Sequence, residues 1–335
     1  MPVLQQDFVP TTWIKDCNAG CSSSGPNTRW DPTSGPPFIR VTCFTDFHVV
    51  QMEDTTLSSI EMDQTTLRPE TRHGEKKQFP PMQGRFIWYE LMTTDTDAAT
   101  DFYRGVIGWE TQDSGVVGMD YTMFTVAGRP VSGTMELPQT ARSMGMPPQW
   151  LGYIAVDDVD TLAADIVIAG GVVHRAAADI PGIGRFAIVG DPDGATFALF
   201  QADGGDPPPE APMGTPGHIG WRELYAENAE GAFAFYRQAF GWQLHREMDM
   251  KDGGVYRIFG LDGQDLGGIM TRPPSMRYPL WTFYFNVDAI DAASERVRAA
   301  GGQVVFGPME VPGNIWIVQC VDPQGALFAL TAARR

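Results

Sequence analysis

Two carboxylates stand where acid-base chemistry is easiest to build. Glu90 follows Trp88 by two residues in the string WYEL, and Glu223 follows Trp221 by two in WREL. Side chains along a strand alternate between faces, so each Trp shares a face with its Glu. A glutamate desolvated beside an indole has its pKa raised toward neutrality, which suits a general base that removes a proton next to a carbonyl. The indole adds a flat apolar wall for a small ligand. The plainer alternative is that both tryptophans only pack, and that Glu90 and Glu223 form structural ion pairs with Arg104 and Arg237.

The elements that must hold these residues are written twice. Residues 88 to 110 (WYELMTTDTDAATDFYRGVIGWE) return at 221 to 243 as WRELYAENAEGAFAFYRQAFGWQ, a shift of 133. Further on the shift becomes 131: Trp150 matches Trp281, Gly170-Gly171 matches Gly301-Gly302, and DPDG at 191 matches DPQG at 322. Self-similarity on this scale marks a tandem architecture.

Within one copy FIWYELMT alternates as a strand. TDTDAATDFYRGVIG follows as a helix capped by Asp95 or Thr96 and stopped by Gly108. Phe102, Tyr103, Phe235 and Tyr236 recur at helical spacing and are expected in the core. Short strands are expected at Trp109 to Glu110, Tyr121 to Val126 and Val131 to Leu137. The pattern then restarts with a strand at WLGYIAVDDVD, a helix from Asp160 to Ala169, a strand from Val172 to Arg175, and a hairpin around DPDG. The expected fold class is α+β, with four β-α-β-β-β modules in two tandem domains at 84–202 and 217–332. A Pro/Gly-rich linker at 203–216 joins them, and a largely irregular extension at 1–83 precedes them. Met82, just before the first repeated block, offers an alternative start of the functional protein.

Composition removes several function classes. The 335 residues carry a formal charge of −17, which repels nucleic acid and anionic membrane. No apolar run is long enough to span a bilayer, and the first residues lack a secretory pattern, so a cytoplasmic protein is expected. Cys17, Cys21 and Cys43, with His48 nearby, form an incomplete zinc set, better explained as free thiols or a local disulfide; Cys320 falls in an expected core strand. No Ser-His-Asp signature, Walker loop or dinucleotide fingerprint competes.

The strand-helix block ending in FYR…GW, the AGG after the second helix and the DPDG/DPQG hairpin together resemble the vicinal oxygen chelate superfamily of glyoxalases, bleomycin-resistance proteins and extradiol dioxygenases. The resemblance covers about 250 residues and implies that two modules pair to form a cup of strands around a divalent metal. The metal-holding positions it implies are Trp88, Glu136, Leu151 and Ala198 in the first copy, and Trp221, Thr271, Thr282 and Ala329 in the second. Only Glu136 among these ligates well, and His174 and His218 lie elsewhere, so no metal and no cofactor are expected.

Strand parity then gathers Trp88, Glu90, Glu136, Tyr153 and Thr196 in one cup, and Trp221, Glu223, Thr271, Tyr284 and Asn286 in the other. These cups are expected to bind a small aromatic or carbonyl-containing metabolite without metal. The alternative is a metal-independent lyase, isomerase or hydroxylase-like enzyme using Glu90 or Glu223 as general base, with Glu136 raising the Glu90 pKa by like-charge repulsion. A metal-dependent glyoxalase or dioxygenase is disfavoured by the donor count. Four modules close two cups within one chain, so a monomer or weak homodimer is expected.

Overall fold

The computed structural model describes residues 82–116, 120–204 and 211–335. The expectations for the N-terminal extension, including its three cysteines, and for residues 205–210 of the linker lie outside these residues.

In the first half β1 (Phe86–Thr93), α1 (Thr96–Ile107), β2 (Glu110–Asp113), β3 (Tyr121–Val126) and β4 (Arg129–Glu136) make one module. A short α2 (Gln139–Ser143) leads to the next, formed by β5 (Gln149–Ala155), α3 (Val159–Ile168), β6 (Val172–Ile180), β7 (Gly184–Gly190) and β8 (Thr196–Ala202). The second half runs β9 (Ile219–Ala226), α4 (Ala229–Phe240), β10 (Gln243–Asp249), β11 (Val255–Leu261) and β12 (Gln264–Thr271). It closes with β13 (Leu280–Asn286), α5 (Ile290–Ala299), β14 (Gln303–Val311), β15 (Ile315–Val321) and β16 (Leu327–Ala332).

Each half is one eight-stranded mixed sheet, ordered β2-β3-β4-β1-β5-β8-β7-β6 in the first and β10-β11-β12-β9-β13-β16-β15-β14 in the second. The opening strands of the two modules lie side by side at the centre, β1 antiparallel to β5, each flanked by the parallel last strand of its own module. The four expected modules are therefore present and pair within each half. Two details differ. Helix α2 is too short for a helical period to show in sequence, and β6 runs on from Arg175 to Ile180, where pairing with β7 and an Asp179–Arg185 ion pair at 2.6 Å outweigh the weak strand preference of its alanines.

Helix α1 begins where the Asp95 carboxylate accepts the Ala98 N–H at 3.0 Å, and α4 where Asn228 does the same for Glu230 at 3.1 Å. Both end in a left-handed glycine, Gly108 and Gly241. Their buried faces carry the repeated Phe-Tyr pairs, and here the repetition acquires a purpose. Tyr103 donates to Asp322 of the other half's DPQG turn at 3.0 Å, while Tyr236 donates to Asp191 of the DPDG turn at 3.1 Å. Trp150 and Trp281 donate to those same two phenols at 2.9 and 3.0 Å. The indoles of the GW pairs also cross over: Trp109 donates to the Gly217 carbonyl at 2.8 Å and Trp242 to the Gly84 carbonyl at 2.7 Å. Even the letter that distinguishes WYEL from WREL is used, because Arg222 donates to the Tyr89 hydroxyl at 2.6 Å across the junction.

One continuous apolar core therefore spans both halves, built from the helix-facing sides of the sheets. A second, smaller cluster covers the face of the first sheet turned away from the helices, the face of the expected cup. Among the described residues no helix is long and apolar enough to cross a membrane.

Candidate functional site

Alternation along β1 divides its side chains between these two clusters. Tyr89 and Leu91 enter the shared core, while Trp88 and Met92 join the smaller cluster with Leu137, Leu151, Tyr153, Phe186 and Ala198. Glu90 lies between Trp88 and Met92 in that alternation and so shares their face. It is 6% exposed, and its Oε1 accepts the Tyr153 hydroxyl at 3.0 Å. Tyr121 on β3 bonds the same carboxylate and also accepts the Trp88 indole N–H at 2.7 Å. Trp88, Tyr121, Glu90 and Tyr153 are thus one hydrogen-bonded group on an otherwise apolar floor.

Burial pushes the Glu90 carboxyl from its ordinary 4.5 up to about 7, against the opposing hydrogen bonds of Tyr153 and Tyr121 and the charge of Arg175. The same burial, reinforced by the Glu90 charge, holds both tyrosines protonated as donors. Around them Trp88, Met135, Ile188 and Phe200 keep partial solvent contact, so the apolar wall is reachable from outside.

The second half rebuilds the group with more polar neighbours. Tyr284 donates to Glu223 at 2.6 Å, Trp221 donates to Tyr256 at 2.7 Å, and Tyr256 and Tyr225 both bond the carboxylate. Gln319 links this set, donating to Tyr225 at 2.6 Å and to Tyr284 at 2.8 Å. Tyr225 and Gln319 replace Met92 and Ile188 of the first cup, so Glu223 sits in a network of its own protein's donors. Glu90 keeps more of its acceptor capacity for a guest.

The sequence-chosen residues thus divide. Trp88, Glu90 and Tyr153 come together, as do Trp221, Glu223 and Tyr284. Glu136 does not join them: Met135 and Leu137 on either side of it pack in the cup, while Glu136 is exposed and ion-paired with Arg142 of α2. A one-residue slip in counting along a strand moves a side chain to the other face, and the expected repulsion between Glu136 and Glu90 falls with it. Thr271 has the same phase error; its hydroxyl turns toward the start of α4, accepting the Ala229 N–H at 3.4 Å. Asn286 donates to the His218 backbone carbonyl at 3.0 Å. Thr196 lines a cleft of about 180 Å³ between the halves, with Gln149, Trp150, Leu280 and Trp281. The suggested partner of Glu90 is also corrected, since Arg104 faces Asp101 on its own helix at 3.7 Å.

Sequence reasoning missed Tyr121, Tyr256, Tyr225 and Gln319. A signal for the first two existed: YTMFTVAGRPVSGTME and YRIFGLDGQDLGGIMT share Tyr, Phe, Gly, Gly and Met at a shift of 135. The second of those glycines seats the tyrosine. A Cβ on Gly133 would lie 2.2 Å from the Tyr121 hydroxyl and 2.4 Å from its ring, and one on Gly268 would lie 2.1 Å from Tyr256. Gly133→Ala is expected to cost about 1–3 kcal/mol by overpacking and to free Trp88 from its phenol partner. Unfolding in urea and a shift of Trp emission check both parts.

The positions that would hold a divalent ion by resemblance are poor donors in place. Trp88 is bonded to Tyr121, and Leu151 and Ala198 are fully buried hydrocarbon; of their counterparts, Trp221 and Ala329 are no better, and Thr282 adds one buried neutral hydroxyl without a partner. Among the described residues no three His, Cys, Asp or Glu side chains converge. This donor set does not fit a divalent cation.

Comparison with known proteins agrees with the geometry of the fold. Residues 85–199 and 215–330 each match the Glyoxalase/Bleomycin resistance protein/Dioxygenase superfamily. "Putative glyoxylase CFP32" of Mycobacterium tuberculosis is 37% identical over 262 residues, covering 74% of this chain and 94% of that protein. "Anthracycline biosynthesis protein DauV" of a Streptomyces species is 30% identical over 266 residues, covering 75% and 94%. Among solved structures, the Mn(II)-bound glyoxalase from Novosphingobium aromaticivorans superposes with a TM-score of 0.52 at 19% identity, over 76% of this chain and 83% of that one.

Proposed function

We propose that this chain, which belongs to the glyoxalase/bleomycin resistance protein/dioxygenase superfamily, binds a small aromatic, carbonyl-containing molecule in the cup of its first half. The observation that carries this is the Trp88–Tyr121–Glu90–Tyr153 group, set in an apolar wall that solvent can reach. A flat ring gains stacking area from the partly exposed Trp88, while a carbonyl oxygen is oriented by a phenol or by protonated Glu90. A relative named for anthracycline biosynthesis supports an aromatic ligand, since anthracyclines are fused-ring ketones.

A second reading is favoured by one specific property. Glu90 titrates near pH 7, where a carboxylate removes a proton from carbon and the resulting acid returns it with little driving force lost either way. In that reaction Glu90 takes the proton next to the bound carbonyl, the electron pair moves onto the carbonyl oxygen, and Tyr153 or Tyr121 donates a hydrogen bond to the charge that develops. The outcome is isomerisation or exchange.

Both readings are checked with 2-acetylnaphthalene as probe. Calorimetric titration is expected to show binding weakened roughly tenfold by Trp88→Leu, the equivalent of about 1.4 kcal/mol of lost contact, and unchanged by Trp221→Leu. Equal effects of the two substitutions would remove the first cup as the site. Proton NMR in D₂O is expected to show exchange of the probe's methyl protons that Glu90→Gln abolishes; exchange no faster than in buffer would leave binding alone.

A further inference from the structure

We propose that Arg175 is the specificity-determining residue of the first cup, and that it selects a ligand carrying a carboxylate or similar planar oxyanion beside its aromatic ring. This rests on the first cup being the binding site.

Arg175 lies on β6, and its guanidinium carbon stands 4.5 Å from the centre of the Phe186 ring, a member of the smaller cluster. Its backbone is registered opposite Ile188, which packs in the same cup. An arginine held over an aromatic face is pre-positioned, so it loses less freedom when its N–H fork meets an anion. Its charge also acts on both polar groups of the cup, Glu90 and Tyr153.

What distinguishes this arginine is that it is exposed and makes no short-range ion pair among the described residues. No carboxylate lies within ion-pair distance of it and no acceptor takes its N–H groups among the described residues, although acidic residues outnumber basic ones by 41 to 24 in the chain. Arg185, on the neighbouring strand, shows the usual outcome: it pairs with both Asp160 and Asp179. A cation left open over an apolar cluster is complementary to an anion whose body is apolar. The equivalent place in the second half is not cationic: the residue registered opposite Gln319, the equivalent of Ile188, is Phe306. The selection therefore belongs to one cup and separates it from its copy.

Calorimetric titration with 2-naphthoate and its neutral counterpart 2-naphthamide tests this. The wild-type protein is expected to bind 2-naphthoate about tenfold more tightly than 2-naphthamide, the effect of one charge-assisted contact, with the difference shrinking as salt is added. Arg175→Gln is expected to level the two by weakening the acid alone, and Arg175→Lys to retain part of the preference as a point charge. Equal affinities in the wild-type protein, or a preference that survives Arg175→Gln, would overturn the assignment. If Trp88→Leu still weakens both probes in that case, the cup remains the binding site. If neither probe binds, or Trp88→Leu changes neither, the cup reading falls and the role of Arg175 falls with it.

Discussion

Replacing Asp322 by alanine is expected to cost about 4 kcal/mol and to loosen the junction between the halves while leaving the Glu90 group intact. Asp322 is 3% exposed, and one carboxylate oxygen accepts the backbone N–H groups of Gln324, Gly325 and Ala326 at 3.0, 2.8 and 2.8 Å. The other accepts the Tyr103 hydroxyl of the opposite half at 3.0 Å, and that phenol in turn accepts the Trp150 indole N–H. Alanine removes four bonds to a carboxylate, each contributing roughly 1.5–3 kcal/mol, and leaves a buried phenol without its acceptor. Burial raises the pKa of Asp322 above the usual carboxylate range, so losing the charge also relieves a desolvation cost. That relief, with water reaching part of the turn, holds the net effect to about 4 kcal/mol.

Asp322→Asn keeps an oxygen for the turn and is expected to cost roughly half as much. Asp191→Ala, at the reciprocal residue holding Tyr236, is expected to cost somewhat less, because its carboxylate accepts two backbone N–H groups, of Asp193 and Ala195, rather than three. Denaturant midpoints check these values, with the slope showing whether the halves still unfold together. A loss under 1 kcal/mol for Asp322→Ala would mean that apolar packing alone joins the halves.

The clasp also shows where sequence reading reached its limit. FYR was legible as core and DPDG as a hairpin turn, and each is true locally. Their meeting across the two copies leaves no trace in helical or strand period, because a contact between Tyr103 and Asp322 joins residues more than two hundred positions apart. The tandem fold was legible because whole modules recur in order. Trp88, Glu90 and Tyr153 were legible because alternation within one strand is reliable over two or three residues. Glu136 failed because its assignment required counting across a hairpin with a register shift between Phe124 and Thr125. Tyr121 was legible as a repeated residue through its match with Tyr256, but neither it nor Gln319 lies on a strand adjacent to the one that carries the glutamate, so period and spacing do not mark either as its neighbour.

Replacing Glu90 by glutamine is expected to stabilise the protein above pH 7 by roughly 3 kcal/mol and to change little at pH 4.5. The sign follows from the direction of the shift. The folded carboxyl titrates at about 7 and the unfolded one near 4.5, so between those values the folded state holds a proton that the unfolded state has released. Stability contributed by this group is therefore greatest below about pH 4.5, falls as pH rises toward 7, and stays low above it. At about 1.4 kcal/mol per unit, a shift of about 2.5 units gives the magnitude. Glutamine cannot ionise, yet its carbonyl oxygen can still accept from Tyr153, so the substitution removes the penalty without emptying the site.

Melting temperatures at pH 5 and pH 8 check this: the variant is expected to gain several degrees at the higher pH and little at the lower. Tyr153→Phe acts in the opposite sense, deleting a hydrogen bond that favours the charged form, and is expected to move the midpoint of the wild-type pH dependence upward. A glutamate that only packed would be replaceable at no functional loss, and a destabilising one has a ready stabilising substitute in glutamine. The test of function is thus the pairing of two results in one variant. Higher stability above pH 7 with loss of proton exchange on 2-acetylnaphthalene would show Glu90 held in an unfavourable setting for its chemistry, and a stability difference independent of pH would remove the acid-base role.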